Sequence, residues 1–206
     1  MLKMLGCNNS GNVQKVIWAC EELGLEYERD DIGGQFGGNN EPEYLAMNPN
    51  ALVPTIIDDA LVLWESNAVV RYLSEKHRPN TVLPENLAER GIADQWMDWQ
   101  QTTLGPAMVP VFSGLVRTPP KDRDLVAIDN ARDRLEHFMT MLDKRLGDSQ
   151  HVAGERFSMG DIPVGIMAYR WFNLDIKRAE LSNLARWYES LAGRAAFKNN
   201  IMIGLT

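Results

Sequence analysis

The chain has 206 residues, a formal net charge of −7 at pH 7 and 45% hydrophobic residues, enough for one or two compact soluble domains with a sizeable core. The acidic balance and the scattered lysines and arginines argue against nucleic-acid binding, which needs a basic face. No apolar run approaches a membrane span and the N-terminal residues do not resemble a signal peptide, so we expect neither.

The first 76 residues or so alternate strand-like and helical patterns. Met1–Leu5 is a short apolar strand, and apolar residues at 13, 16, 17, 20 and 23 then predict a helix that ends at Gly24. Glu26–Ile32 predicts a second strand, and the strand–helix–strand order predicts a parallel pair. The glycine-rich loop at residues 33–40 should be irregular and mobile, and a short helix should follow near Pro42–Ala46.

The stretch after this short helix carries the strongest signal for a binding site. Leu52–Ile57 resembles a strand but contains a proline, which is unusual inside a ladder. If the Val53–Pro54 bond is cis, the Val53 amide and carbonyl face outward and can pair with an extended peptide ligand. Ala60–Trp64 predicts a returning strand.

Glu65 and Ser66 then open the next helix. The free N–H groups of a helix start favour a carboxylate, the Ser66 hydroxyl can donate to it, and Glu65 can accept from an ammonium group. The pair is therefore a candidate clamp for an amino acid, although two such residues are more often only a helix cap.

From about Leu87 the pattern is helical almost throughout, after a linker at Arg78–Pro84. Leu87–Leu104 predicts a helix, and Pro106 and Pro110 predict a kink in its continuation. Residues 122–146 predict a long helix and residues 181–197 predict closing helices. Ser158 as N-cap and Asp161 three residues later form a capping box, with Asp in place of Glu or Gln, and we assign both to stability.

The proline strand, the Glu65-Ser66 pair and the following Val69–Leu73 resemble the glutathione-binding half of the cytosolic glutathione S-transferase family. The resemblance extends over nearly the whole chain. It implies an α/β plus all-α fold, with an N-terminal thioredoxin-like domain at residues 1–78 and a C-terminal helical-bundle domain at residues 86–206.

The same resemblance implies how glutathione, the cosubstrate, would be bound. The backbone of Val53, before the proposed cis Pro54, would pair with the cysteinyl part, and Glu65 and Ser66 would hold the γ-glutamyl end. The glycyl end would meet a polar residue of the glycine-rich loop, for which the candidates are Gln35, Asn39 and Asn40. Ala51 and Leu52 stand where relatives often have a basic residue or a histidine, so this chain departs from the family's pattern at the contact with the glycyl carboxylate.

Catalysis requires that the glutathione sulfur be kept as a thiolate, although a free thiol has a pKa of about 8.5. Strand Met1–Leu5 has no tyrosine for this task. Counting back from Gly24 in the family pattern places Ser10 where some classes have a catalytic serine or cysteine. The segment around Ser10, Asn12 and Lys15 resembles the Ser/Thr-x-Asn-x-x-Lys pattern of bacterial theta-like and nu-like members. Ser10 and Asn12 are thus the predicted catalytic residues, although each alone is more often a helix cap.

The cysteines and histidines predict no second centre. Cys7 and Cys20 cannot form a disulfide framework and indicate a reducing cytoplasm. Cys7 lies three residues before the redox position of a thioredoxin fold, so we expect a buried or half-buried bystander, although a thiol next to bound glutathione could form a mixed disulfide. Cys20 should belong to the core. The histidines lie far apart without ligand spacing, and we expect them to be solvated and to bind no metal: His77, His137 and His151.

The resemblance implies a cytoplasmic, homodimeric detoxification enzyme that conjugates glutathione thiolate to a hydrophobic electrophile, without nucleic-acid or membrane partners. Met108, Val109, Phe112 and Tyr169 are candidates for the wall against which the electrophile would lie, although apolar residues at helical spacing are usually core. Two alternatives remain open: a glutathione-dependent disulfide-bond or peroxide reductase, and a non-catalytic glutathione- or ligand-binding protein. A third alternative, a thioredoxin-like oxidoreductase, is less favoured because the sequence has no Cys-x-x-Cys motif.

Overall fold

The computed structural model of the chain describes residues 1–205 and divides into two compact units. The first unit spans Met1–Leu83 and the second begins at Pro84. The first is a mixed sheet with helices and the second is helical, so the predicted fold class, a thioredoxin-like domain followed by a helical domain, is confirmed.

The sheet of the first unit has the strand order β2-β1-β3-β4. The strands are β1 (Leu2–Leu5), β2 (Tyr27–Asp30), β3 (Thr55–Asp58) and β4 (Leu61–Trp64). β1 and β2 run parallel, as the strand–helix–strand order predicts, whereas β3 is antiparallel to both β1 and β4. β3 begins at Thr55 and not at Leu52 as expected, because Pro54 has no N–H to donate to the ladder.

The helices of the first unit are α1 (Gly11–Leu23), α2 (Pro42–Leu45) and α3 (Ser66–Lys76). Helix α1 ends at Gly24, which adopts φ 66° and lets its N–H reach the last carbonyls of the helix. A single 3-10 turn, Gly34–Phe36, interrupts the glycine-rich loop. Apolar side chains of β1, α1, β3 and α3 form one core between sheet and helices, which holds α1 and α3 in place at the site.

The second unit consists of α4 (Leu87–Trp99), α5 (Gly105–Phe112), α6 (Leu125–Gly147), α7 (Asp161–Asn173), α8 (Ser182–Ala192) and α9 (Ala195–Asn200). Helix α5 contains Pro110 and is flanked by two π-helical turns, Gln100–Leu104 and Ser113–Arg117. The kink predicted at Pro106 and Pro110 thus falls in a stretch that departs from regular α-helical geometry on both sides of α5, and such π-helical turns are one cause of helix kinks. No helix within residues 1–205 is long and apolar enough to cross a membrane.

The capping box of α7 is the centre of a buried hydrogen-bond network. The Asp161 carboxylate accepts from the Ser158 amide at 2.9 Å and hydroxyl at 3.1 Å, as the sequence pattern predicts. It also accepts from the Val152 amide and from Trp187 Nε1, and His151 Nδ1 lies 3.3 Å away. The expectation that His151 is solvated is therefore wrong, because this network holds its ring with only 14% of the side chain exposed.

Candidate functional site

An open cleft lies in the first unit, where the segment before β3 faces the starts of α1 and α3. Its empty volume is about 260 Å³, including solvent at its mouth. It is lined by Asn12, Asn48, Asn50, Leu52, Val53, Pro54, Glu65 and Ser66. Five of the residues singled out in the sequence thus share one cavity although they are up to 54 positions apart.

The Val53–Pro54 peptide bond is cis, and it presents an unused stretch of backbone to the cleft. Neither the amide nor the carbonyl of Val53 forms a hydrogen bond within residues 1–205. The preceding turn is fixed through the Leu52 carbonyl, which accepts from Tyr44 Oη at 2.6 Å and from Asn48 Nδ2 at 2.8 Å. Burial raises the pKa of Tyr44 above its ordinary value, so its hydroxyl stays a donor at neutral pH. The Val53 edge is free to pair with an extended ligand.

The glycine-rich loop makes room for this segment at Gly33. Gly33 has φ 81°, a conformation that favours glycine. A Cβ built on it would lie 3.1 Å from Cγ1 of Val53. Glycine at this position therefore lets the loop approach the Val53 side chain closely.

Ser66 is the buried polar centre of the cleft. It is the first residue of α3, with 3% of its surface exposed. Its hydroxyl accepts from Lys15 Nζ at 3.4 Å and donates to Asn12 Oδ1 at 3.3 Å. Ser66 thus joins the starts of two helices. Its hydroxyl can turn from Asn12 Oδ1 to donate to a ligand oxygen while it still accepts from Lys15.

Lys15 is the site residue that the sequence left without a role. It lies on α1 and is fully buried, which is rare for lysine. The signal for it was its position in the Ser-x-Asn-x-x-Lys motif, five residues after Ser10. Asn48 and Asn50 are two further cleft residues, and their position in a polar turn is the only signal by which the sequence could have indicated them.

Glu65 occupies the N-cap position of α3 with φ 72°, a conformation that few non-glycine residues adopt. Its side chain makes no capping hydrogen bond to the helix. The alternative that the Glu65-Ser66 pair serves only as a side-chain cap therefore finds no support. Glu65 is exposed and lines the cleft.

Ser10 is the N-cap residue of α1, and its backbone carbonyl accepts from the Gln14 amide at 2.9 Å. The Ser10 hydroxyl, however, makes no capping hydrogen bond. It lies outside the cleft-lining set, two residues before Asn12, which belongs to it. The Ser10 hydroxyl and the Asn12 amide nitrogen have no partner within residues 1–205, so two donors stand at a helix N-terminus, where an anion is favoured.

The three loop candidates for the glycyl contact lie outside the cleft-lining set. Asn39 donates its side-chain amide to the Ala51 carbonyl at 2.7 Å, so it connects the glycine-rich loop to the turn before Val53. Gln35 and Asn40 are exposed. Asn39 thus has a structural contact that the other two lack.

Both cysteines are free thiols and both are buried. Cys20 is fully buried on α1, as expected, and burial raises the pKa of its thiol to about 12. Cys7, 3% exposed, lies at the end of β1, where its amide donates to the Ile32 carbonyl at 2.9 Å. The prediction that Cys7 is buried is confirmed, and neither thiol has the exposure of a redox cysteine.

The four candidates for an apolar wall lie on α5 and α7 of the helical unit. Met108, Phe112 and Tyr169 are buried, and only Val109 is exposed, at 55%. The Phe112 ring is covered by the Arg170 guanidinium, whose Cζ lies 4.1 Å from the ring centroid. The chemistry beside Phe112 is therefore cationic as well as apolar.

Comparison with known proteins identifies close relatives along the whole chain. Residues 9–76 match the family model of the glutathione S-transferase N-terminal domain, and residues 126–190 match that of the C-terminal domain. Glutathione S-transferase GstB of Escherichia coli (strain K12) is 41% identical over 205 residues, which cover 98% of this chain and 99% of that protein.

Solved structures agree with the sequence match. The theta class glutathione S-transferase from the citrus canker pathogen Xanthomonas axonopodis pv. citri, with glutathione bound, superposes with a TM-score of 0.96. It is 43% identical, and the match covers 100% of this chain and 99% of that one. Glutathione transferase F7 from Populus trichocarpa, 24% identical over the full length of both chains with a TM-score of 0.89, shares the fold.

Proposed function

Since the chain belongs to the glutathione S-transferase family, we propose that it binds reduced glutathione in the cleft of its first unit and transfers the glutathione thiolate to an electrophilic small molecule. The observation that carries this proposal is the convergence of Asn12, Val53, Pro54, Glu65 and Ser66 on one cleft. Ser10, with its unbonded hydroxyl, stands beside that cleft at the start of α1.

The tripeptide binds as an additional strand beside Val53. Its cysteinyl amide and carbonyl pair with the Val53 carbonyl and amide, which have no other hydrogen bonds within residues 1–205. The cis bond to Pro54 fixes the direction in which these groups face. Main-chain pairing supplies affinity here without demanding a particular side chain at position 53.

The γ-glutamyl end binds at the start of α3. Its carboxylate accepts from the Ser66 hydroxyl and from the free N–H groups of the first turn, and the buried Lys15 ammonium adds positive charge behind Ser66. Its ammonium group pairs with the exposed Glu65 carboxylate. One end of glutathione is thereby fixed by complementary charges.

The glutathione sulfur lies at the start of α1, where it is held as a thiolate. The Ser10 hydroxyl donates to it, and the Asn12 side-chain amide supplies a second donor. The helix N-terminus favours the same negative charge. These groups lower the pKa of the bound thiol, so the nucleophile is present near neutral pH.

The test is a pH titration of the thiolate absorbance of glutathione in the presence of the protein. We expect the wild type to lower the pKa of bound glutathione below the free value of about 8.5. Ser10→Ala should restore it toward that value, whereas Ser10→Thr, which keeps the hydroxyl, should not. Ser190→Ala, a remote serine whose hydroxyl donates to the Trp187 carbonyl at 2.7 Å, is the matched control.

The outcomes of this titration separate the alternatives. Saturable glutathione binding without a lowered thiol pKa would favour the non-catalytic binding protein or the disulfide-bond reductase, and absence of binding would contradict the proposal. Once activation of the glutathione thiol is established, a screen of aryl halides, disulfides and peroxides identifies which class of acceptor the enzyme uses. Conjugation of an aryl halide would support the transferase over the reductase.

We further propose that the enzyme works as a cytoplasmic homodimer in detoxification of hydrophobic electrophiles. Family membership and the two free thiols support this setting, since the cytosolic glutathione pool keeps thiols reduced. If the cells are fractionated, we expect the protein in the cytosolic fraction.

A further inference from the structure

Two arginines of the helical unit share one aromatic ring. Cζ of Arg170, in the last turn of α7, lies 4.1 Å from the centroid of the Phe112 ring. Cζ of Arg117, in the π-helical turn after α5, lies 5.4 Å from the same centroid. Phe112 itself is buried, with 3% of its surface exposed. Two like charges therefore lie against one buried ring.

No acidic group balances these charges. Within residues 1–205, neither guanidinium forms an ion pair or a side-chain hydrogen bond. Burial, and then the charge of Arg117, lower the pKa of Arg170 to about 10. A positive pair without an anion is unfavourable when one member is largely removed from water.

Other arginines of the same unit have partners. Arg132 lies within 4 Å of carboxylates of Asp129, Asp133 and Glu136. Arg178 donates to the carbonyls of Phe172 and Leu174. Two unpaired arginines around a buried ring thus stand out, all the more in a chain of net charge −7.

We propose that Arg117 and Arg170 form an anion-binding site that takes the carboxylate of a small organic molecule. Both guanidinium groups lie within 5.4 Å of the Phe112 ring centroid, and a guanidinium binds a carboxylate through two parallel hydrogen bonds. Arg117 is exposed, so a ligand can reach the site from solvent where Arg117 lies. None of these three residues lines the cleft proposed to bind glutathione.

The experiment is a titration of the full-length protein with 4-fluorobenzoate and, separately, with its neutral analogue 4-fluorobenzamide, followed by fluorine NMR. We expect saturable binding of the carboxylate, weakened by sodium chloride, and at least tenfold weaker binding of the amide. Equal binding of the two probes, or no binding of the carboxylate, would overturn the proposal.

Three variants locate the site. Arg117→Gln and Arg170→Gln should each weaken 4-fluorobenzoate binding about tenfold. Arg134→Gln is the matched control, because Arg134 also lies over a phenylalanine, 5.8 Å from the Phe138 centroid, but is solvated and alone. If Arg170→Gln does not fold, the exposed Arg117 variant decides the question, and wild-type affinity in that variant would refute the site.

A kinetic comparison then identifies the source of the carboxylate. A benzyl halide bearing a carboxylate and its methyl ester are offered with glutathione to the wild type and to Arg117→Gln. If the electrophile itself carries the anion, the variant raises KM for the acid about tenfold and leaves KM for the ester and for glutathione unchanged. If instead 4-fluorobenzoate binds without competing with either electrophile, the site takes a separate carboxylate ligand.

Discussion

Lys15 contributes to the cleft from beneath its surface. It is fully buried, and its Nζ lies 3.4 Å from the Ser66 hydroxyl. Lys15→Met keeps the length of the side chain but removes the charge next to the proposed carboxylate position. We expect KM for glutathione to rise about tenfold, the effect of losing one charge-assisted contact, with a much smaller change in kcat. Lys198→Met on the surface of α9 is the control, and an unchanged KM in a folded Lys15 variant would contradict this role.

Ser10 and Asn12 are proposed to act on the sulfur, and their joint removal should affect turnover more than binding. The double change to alanine leaves only the helix N-terminus to stabilise the thiolate. We expect kcat to fall about 100-fold or more, the usual effect of removing donors to a developing or reacting anion. Asn8→Ala, an exposed change in the same turn, should leave steady-state rates unaltered. Wild-type kcat in the double variant would exclude both residues from catalysis.

Strand β3 is joined to α3 by one carboxylate at the end of the strand. Asp58 accepts from Tyr72 Oη at 2.7 Å and from Lys76 Nζ at 2.5 Å. These two donors, Lys76 first, hold the pKa of Asp58 below its ordinary value. A lowered carboxyl pKa stabilises the fold above the unfolded pKa of about 3.9, and this contribution is lost as pH falls through the folded value.

Asp58→Asn should therefore lower the thermal unfolding midpoint between pH 5 and 8 by an amount equivalent to about 1 to 2 kcal/mol. Below about pH 4 the difference from the wild type should shrink, since the wild-type carboxylate becomes protonated there. Midpoints measured by circular dichroism from pH 2.5 to 8 check this. The neighbouring Asp59→Asn, whose carboxylate is 80% exposed, is the control, and a difference independent of pH would refute the explanation.

The start of α7 depends on Asp161 as the acceptor of a buried network. Asp161→Ala leaves the Ser158 amide, the Val152 amide and Trp187 Nε1 without their acceptor. We expect a loss of about 3 kcal/mol or more, since several buried donors lose their partner together. Urea unfolding followed by tryptophan fluorescence measures it, with the exposed Asp175→Ala as control. A midpoint within error of the wild type would show that the network is not stabilising.

Sequence patterns predicted the elements better than the contacts between them. The periodicity of α1 and its stop at Gly24, and the parallel pairing of β1 with β2, follow from local rules and are confirmed. The capping box could be read from Ser158 and Asp161, but not the contacts of Asp161 with His151 and Trp187, which are distant in sequence. In the cleft, Lys15 was part of a recognised motif but received no role, because a lysine is expected at the surface and its burial depends on how α3 packs on α1.

The whole molecule is proposed to associate as a homodimer. Apolar side chains are exposed on both units: Leu61 and Val62 on the edge strand β4, at 38% and 39%, and Leu125 and Val126 at the start of α6, at 66% and 73%. Such side chains at an edge strand and a helix start are exposed to solvent unless another chain covers them. Association of identical chains is most often a symmetric pair.

We expect size-exclusion chromatography with light scattering to give a mass about twice the 23.3 kDa of the chain, falling toward the single-chain mass on sufficient dilution. The chain carries a net charge of −7, so high salt should screen the repulsion between two copies and favour the dimer at a given concentration. Val62→Glu and Val126→Glu each add a charge to one of the two exposed apolar regions. The variant whose changed residue lies in the interface between the two copies should shift the mass toward 23.3 kDa. A mass of one chain at every concentration of the wild type would contradict the homodimer.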